Sequence, residues 1–243
     1  MIYLDNSATS FPKPDVVYDF MFNCYRKHGV SPGRSGFDAA IETEEIVFNT
    51  RKMLTELFNG GGDPNRLTFG YNATDALNLI IQGLCEKGDH VVTSMLEHNS
   101  VLRPLYCLEQ KGLIEVTYLP FDEAGYVNPD DVKKALRKNT KFVIITHCSN
   151  VIGTIQPLTE IGKICKEAGV IFVVDGSQGA GSVHVDMQAS NIDVYCFTGH
   201  KCLMGPTGIG GSYVKEGITI KHTRYGGTGV RSAYPGHLEE YPW

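Results

Sequence analysis

Val170-Ile171-Phe172-Val173-Val174-Asp175-Gly176-Ser177-Gln178 is the stretch on which the fold turns. Five apolar residues stand together and stop at a polar turn carrying a carboxylate and an amide. A bounded apolar run this short reads as a strand, and one with no polar alternation is covered on both faces. A second stretch repeats the pattern, with Val194-Tyr195-Cys196-Phe197 followed by Thr198-Gly199-His200-Lys201. Polar groups at the carboxyl ends of buried strands lie where open α/β sheets bind ligands.

Outward from these runs, helix and strand signals alternate. Strands are expected at 66–69, 90–94, 114–119, 141–146, 170–174, 194–197 and 208–214, with helices at 74–86, 100–111, 129–138 and 158–168. Toward the amino end, the loop 6–14 holds two prolines, and helix-like stretches cover 15–27 and 38–58, flanked by Gly or Pro signals. The pattern predicts an α/β fold with three layers, α/β/α, around a mostly parallel seven-stranded sheet. The expected organisation is an amino-terminal segment (1–14), a large domain (15–224) and the start of a carboxyl-terminal region (225–243).

The 243 residues suffice to bury a full core, and 42% hydrophobic with 20% charged residues excludes a disordered chain. A net charge of −5 without a basic stripe argues against a nucleic-acid partner. The start, Met1-Ile2-Tyr3-Leu4-Asp5-Asn6, does not read as a signal sequence, and no apolar run reaches membrane-spanning length. Seven scattered cysteines without a C-x-x-C pair fit a reducing compartment, so a cytoplasmic protein is expected. His147-Cys148 alone does not supply four zinc ligands, and no metal is expected.

Asn150, Asp175, Gln178, Thr198, His200 and Lys201 read together as a cradle for pyridoxal 5'-phosphate. Such a phosphate-bearing aldehyde needs an amine to hold it, donors for its phosphate and an acid for its ring nitrogen. Lys201 is the candidate amine, because a desolvated lysine gives up its proton more readily. Asp175 is the candidate acid. Asn72-Ala73-Thr74 precedes a helix whose free N–H groups favour an anion, and Thr198 and His200 can add hydrogen bonds. His98 can cover the ring and carry protons, while Asn150 and Gln178 can reach its phenolic oxygen.

The order of these motifs resembles the class V aminotransferases, in particular the cysteine desulfurases and selenocysteine lyases. The resemblance begins at Tyr3-Leu4-Asp5-Asn6-Ser7-Ala8-Thr9 and continues through Asn72-Ala73-Thr74-Asp75-Ala76-Leu77-Asn78 and Glu97-His98-Asn99-Ser100-Val101-Leu102. It then takes in Ser149-Asn150-Val151-Ile152-Gly153-Thr154, Asp175-Gly176-Ser177-Gln178 and the stretch from Gly199-His200-Lys201 to Gly208. It implies a fold type I pyridoxal phosphate enzyme working as a homodimer. It implies Lys201, His98 and Asp175 as catalytic residues, Asn150 and Gln178 at the phenolic oxygen, and Ala73, Thr74, Thr198 and His200 at the phosphate. Thr228, in Gly226-Gly227-Thr228-Gly229, matches the position that reaches the phosphate of the neighbouring subunit.

The resemblance further implies L-cysteine as the amino acid substrate, converted to L-alanine with sulfur passed to an enzyme cysteine and on to an acceptor protein. Family members continue into a smaller domain that carries this cysteine and an arginine for the substrate carboxylate. The chain ends at Trp243, so a truncated or partial member is expected. Another class V aminotransferase, an epimerase, a selenocysteine lyase and a non-catalytic cofactor-binding dimerisation module stay open. A Rossmann nucleotide site is disfavoured, because Gly60-Gly61-Gly62 follows a helix and not a first strand. Cys148 and Cys196 read as small core residues of apolar strands, and Cys202 as pointing away from its neighbour Lys201 along an extended segment.

Overall fold

The computed structural model describes residues 2–33 and 36–226. Helices α1 (Asp15–His28) and α2 (Asp38–Leu57) come first, followed by a short 3-10 turn, Pro64–Arg66. Then follow β1 (Leu67–Gly70), α3 (Ala73–Leu84), β2 (Asp89–Ser94), α4 (Asn99–Gln110), β3 (Ile114–Leu119) and α5 (Pro129–Ala135). The described part closes with β4 (Thr140–Thr146), α6 (Leu158–Ala168), β5 (Ile171–Asp175), β6 (Val194–Thr198) and β7 (Gly210–Val214).

The strands form one seven-stranded sheet in the order β1-β7-β6-β5-β4-β2-β3. From β6 to β3 all neighbours are parallel, whereas β7 is antiparallel to both β6 and β1. Hence β1 runs with β6, and β7 starts at the edge where the other strands end. The mostly parallel sheet with helices on both faces is the architecture the sequence predicts.

Side-chain alternation explains why the strands read as unbroken apolar runs. Phe142, Ile144, Val173, Val194 and Cys196 pack on one face with Leu77, Ile80 and Ile81 of α3 and Leu105 of α4. Their neighbours Val143, Ile145, Phe172, Val174, Tyr195 and Phe197 pack on the other with Phe58 and with Leu158, Ile161 and Cys165 of α6. Both faces are dry, so no alternate position is free for a polar residue. Gly169 ends α6 in the left-handed region at φ 66°, a conformation that favours glycine.

Several boundaries differ from the sequence reading. β5 and β6 extend one residue further, so Asp175 and Thr198 are the last residues of strands and not members of the following turns. Arg66 lies in the 3-10 turn before β1, where its guanidinium donates to the carbonyls of Val214, Lys215 and Ile218 and pins the chain leaving β7. α5 stops at Ala135, because Leu136 turns extended (φ −63°, ψ 135°) and packs against the core. α1 buries no residue, and its Phe20, Phe22 and Tyr25 are exposed. Among the described residues no helix is long and apolar enough to cross a membrane.

Candidate functional site

The carboxyl edge of the sheet holds a cavity of about 510 Å³. Asn72, Ala73 and Thr74 reach it from the start of α3, His98 and Ser100 from the start of α4, and Cys148 and Asn150 from the loop after β4. Asp175, Ser177 and Gln178 come from the end of β5, and Thr198, His200 and Lys201 from the end of β6. Asp5, Ser7 and Ala8 of the amino-terminal segment also line it. Every site residue expected from the sequence is brought to this cavity except Thr228, which lies outside the described residues.

At the α3 end, the Asn72 side chain accepts the N–H of Asp75 at 2.8 Å and caps the helix. The N–H groups of Ala73 and Thr74 have no intrahelical acceptor and stay available to an anion. Asn72→Ala is expected to cost about 1 kcal/mol of unfolding free energy in urea titration. An unchanged midpoint and slope would show that the cap contributes nothing. Across from this turn, the Thr198 hydroxyl is buried without a hydrogen-bond partner among the described residues. A buried unpaired hydroxyl costs free energy unless something satisfies it, and an anion in the cavity would.

His98 is exposed and forms the N-cap of α4, four residues beyond the end of β2. Its Nδ1 accepts the N–H of Ser100 at 3.1 Å and lies 2.7 Å from the Ser100 hydroxyl, which in turn lies 2.7 Å from that of Thr74. Since Nδ1 accepts, the neutral ring carries its proton on Nε2, the nitrogen free to meet a ligand. Ser100 thereby links His98 to the amino end of α3, a role absent from the sequence reading.

On the floor, Oδ1 of Asp175 accepts the Ser177 N–H at 2.9 Å and the Ser177 hydroxyl at 2.5 Å. Oδ2 has no partner among the described residues and is the oxygen available to a cationic N–H. The Lys201 amine likewise has no hydrogen bond or ion pair among the described residues. Burial pulls its pKa below the ordinary lysine value, against the opposing charge of Asp175, so the amine sheds its proton more readily. Burial also lowers the pKa of His200, helped by the charges of Lys201 and Lys13.

The amino-terminal segment closes one side. Thr9 Oγ1 and Lys13 Nζ donate to the His200 carbonyl at 3.0 and 2.9 Å, and His200 Nδ1 lies 3.0 Å from Thr9 Oγ1, leaving Nε2 free. The Gln178 amide donates to the Ser7 carbonyl at 2.8 Å, with its oxygen unengaged. Thr9, Lys13, Ser100 and Ser177 were not expected at the site. Ser177 had a local signal, since a residue two after an aspartate commonly donates to it.

Two cysteine readings are corrected. Cys148 lies beyond the end of β4, half-buried against the cavity, with its thiol directed to the Gly153 carbonyl at 3.3 Å. Lys201 and Cys202 sit in a turn closed by the Met204 N–H on the Lys201 carbonyl at 2.8 Å, so strand alternation does not govern them. Cys196 is buried within β6 as expected, where burial raises its thiol pKa well above the ordinary value. No group of three or more potential metal-binding side chains occurs among the described residues.

A profile of the family described as aminotransferase class-V matches residues 2–242. The chain is 38% identical over 245 residues to the cysteine desulfurase IscS of Pseudomonas fluorescens, covering 98% of this chain and 59% of that protein. It is 34% identical over 230 residues to the cysteine desulfurase IscS of Clostridium botulinum, covering 93% and 56%. Among solved structures, the apo cysteine desulfurase from Thermococcus onnurineus NA1 superposes with a TM-score of 0.86 at 34% identity, over 93% of this chain and 57% of that one. SspA in complex with cysteine gives the same TM-score at 28% identity, over 93% and 65%. The chain thus spans less than three fifths of the length of these curated relatives.

Proposed function

This chain belongs to the aminotransferase class-V family, and from that premise we propose that its cavity binds pyridoxal 5'-phosphate and forms the cofactor-holding half of a cysteine desulfurase-like site. The observation that carries this reading is the donor set: an unpaired amine, a half-free carboxylate and a buried unpaired hydroxyl beside an open helix N-terminus. These fit, in turn, an aldehyde, a protonated ring nitrogen and a phosphate.

When bound, the group supplies a conjugated ring that withdraws electrons from the α-carbon of an amino acid. The residues of the chain do the rest. Ala73 and Thr74 N–H and the Thr198 hydroxyl would hold the phosphate, with Thr228 of a second copy as a further donor in a homodimer. His200 Nε2 would be a donor when the ring is protonated, since Nδ1 meets a Thr9 hydroxyl whose proton goes to the His200 carbonyl. Lys201 Nζ would hold the aldehyde carbon and, as a free amine, would move the proton at the substrate α-carbon. Asp175 Oδ2 keeps the ring nitrogen protonated. His98 would cover the ring, and Asn150 and Gln178 would hold the phenolic oxygen.

The proposed substrate is L-cysteine, leaving L-alanine with its sulfur passed to a thiol and from there to an acceptor protein. Similarity to relatives named for this activity, and to a structure holding cysteine, supports the choice. The resemblance assigns the accepting thiol and the carboxylate-binding arginine to the part of the relatives that this chain does not span. Alanine formed from cysteine, with sulfide released by an added thiol reductant, measured on a chain that also carries those two groups, supports the reading. Amino exchange dependent on pyruvate would favour an aminotransferase.

Asp175→Asn is expected to keep the fold and to lower cysteine turnover about 10- to 100-fold, since a charge-assisted hydrogen bond to the ring nitrogen is lost. Turnover equal to wild type would remove Asp175 from this role.

A further inference from the structure

Glu97 stands next to His98 and is only 6% exposed. Its Oε1 accepts the Ser94 hydroxyl at 2.7 Å and the Thr146 N–H at 2.8 Å. Its Oε2 is buried with no partner among the described residues. Ser94 closes β2 and also receives the Leu96 N–H, Thr146 closes β4, and Thr146 pairs in register with Asp175 of β5. One carboxyl therefore joins two strand ends and fixes the turn from which His98 emerges.

We propose that Glu97 is a positioning residue for the cofactor site: it ties the turn carrying His98 and the α4 N-terminus to the end of β4, beside the strand that ends in Asp175. The inference deepens the function proposed above, and its ligand-binding arm rests on that reading.

Among the described residues no cation pairs with Glu97. The titratable groups on the segments around it are Asp175 of β5, His98 at the start of α4, and His147 and Cys148 after β4; the charge of Asp175 acts on it. Burial pushes its carboxyl from 4.5 up to about 8, against the two hydrogen bonds and with the repulsion of Asp175. Between those values the folded chain holds a proton that the unfolded chain has released. This contribution to stability is full below 4.5 and is lost as pH rises to about 8. Glu97→Gln holds no such proton, so wild type weakens relative to it across that window.

The test has two arms. In the first, melting temperatures of the cofactor-free wild type and Glu97→Gln are compared at about pH 5 and about pH 8.5. Wild type losing ground to the variant at the higher pH supports the buried carboxyl. Parallel pH dependence overturns it. In the second, pyridoxal phosphate affinity is measured by absorbance titration. Glu97→Ala is expected to weaken binding about tenfold or more, with Glu97→Gln restored to within about threefold. Ser94→Ala, expected to weaken binding in the same direction, serves if Glu97→Ala does not fold. Wild-type affinity in both alanine variants overturns the positioning role. A wild type that takes up no pyridoxal phosphate sinks the cofactor reading alone, and the melting curves then decide for Glu97.

Discussion

Lys201→Ala is expected to give a folded chain that takes up pyridoxal 5'-phosphate without the aldimine absorbance band and without a borohydride-fixed adduct. The side chain makes no hydrogen bond or ion pair among the described residues, so its removal leaves no structural partner stranded. Burial lowers its pKa from the ordinary lysine value, against the pull of Asp175. On the function proposed above, loss of the Lys201 amine is expected to lower cysteine turnover by about 10² to 10⁴. Wild-type colour and an adduct in the variant would assign the amine elsewhere. Lys13 is the nearest rival, since its Nζ donates to the His200 carbonyl at 2.9 Å. Peptide mapping of the reduced adduct separates the two.

Gly210→Ala is the second large effect, and it acts on stability and binding together. A methyl group there would lie 2.6 and 2.7 Å from the backbone carbons of Asn72 and 2.7 Å from the Phe197 carbonyl oxygen. All three are main-chain atoms, so no flexible side chain can swing aside. Relief requires the turn before α3 to move away from the end of β6, separating the Ala73 and Thr74 N–H groups from Thr198. Overpacking of this kind costs about 1–3 kcal/mol. The expected result is a lowered melting temperature and pyridoxal phosphate affinity reduced at least about tenfold, because two sides of the anion site part. Gly36→Ala, with no atom of the described residues within 4 Å of the added carbon, is the control. Unchanged melting and binding in Gly210→Ala would mean that the Asn72 turn can shift freely.

The layers were legible because burial on both faces writes itself into the sequence as apolar runs such as 170–174. The site was legible where polar residues interrupt those runs at strand ends. Boundaries were not. A polar residue after an apolar run reads as loop, yet Asp175 still pairs with Cys196, and Thr198 with Gly210. Conversely, Cys148 extends an apolar stretch past the strand's end, because the Ser149 and Thr154 backbones close a turn there. Glu97 was hidden for another reason. Its partners sit 3 and 49 positions away, and nothing in Leu96-Glu97-His98 indicates a buried carboxyl. Arg66 read as a strand residue because its function, holding three carbonyls beyond β7, is likewise nonlocal.

The closure of the cavity by its amino-terminal segment has a consequence for how the chain comes into being. Thr9 meets His200 across 191 positions, and Ser7 meets Gln178 across 171. During synthesis one wall therefore leaves the ribosome 171 to 191 residues before its counterpart. Contacts so distant along the chain form only after the intervening strands have assembled, since their loop-closure entropy is otherwise uncompensated. A nascent or half-assembled chain therefore has no walled pocket to offer, and uptake of a small molecule there marks the completion of folding.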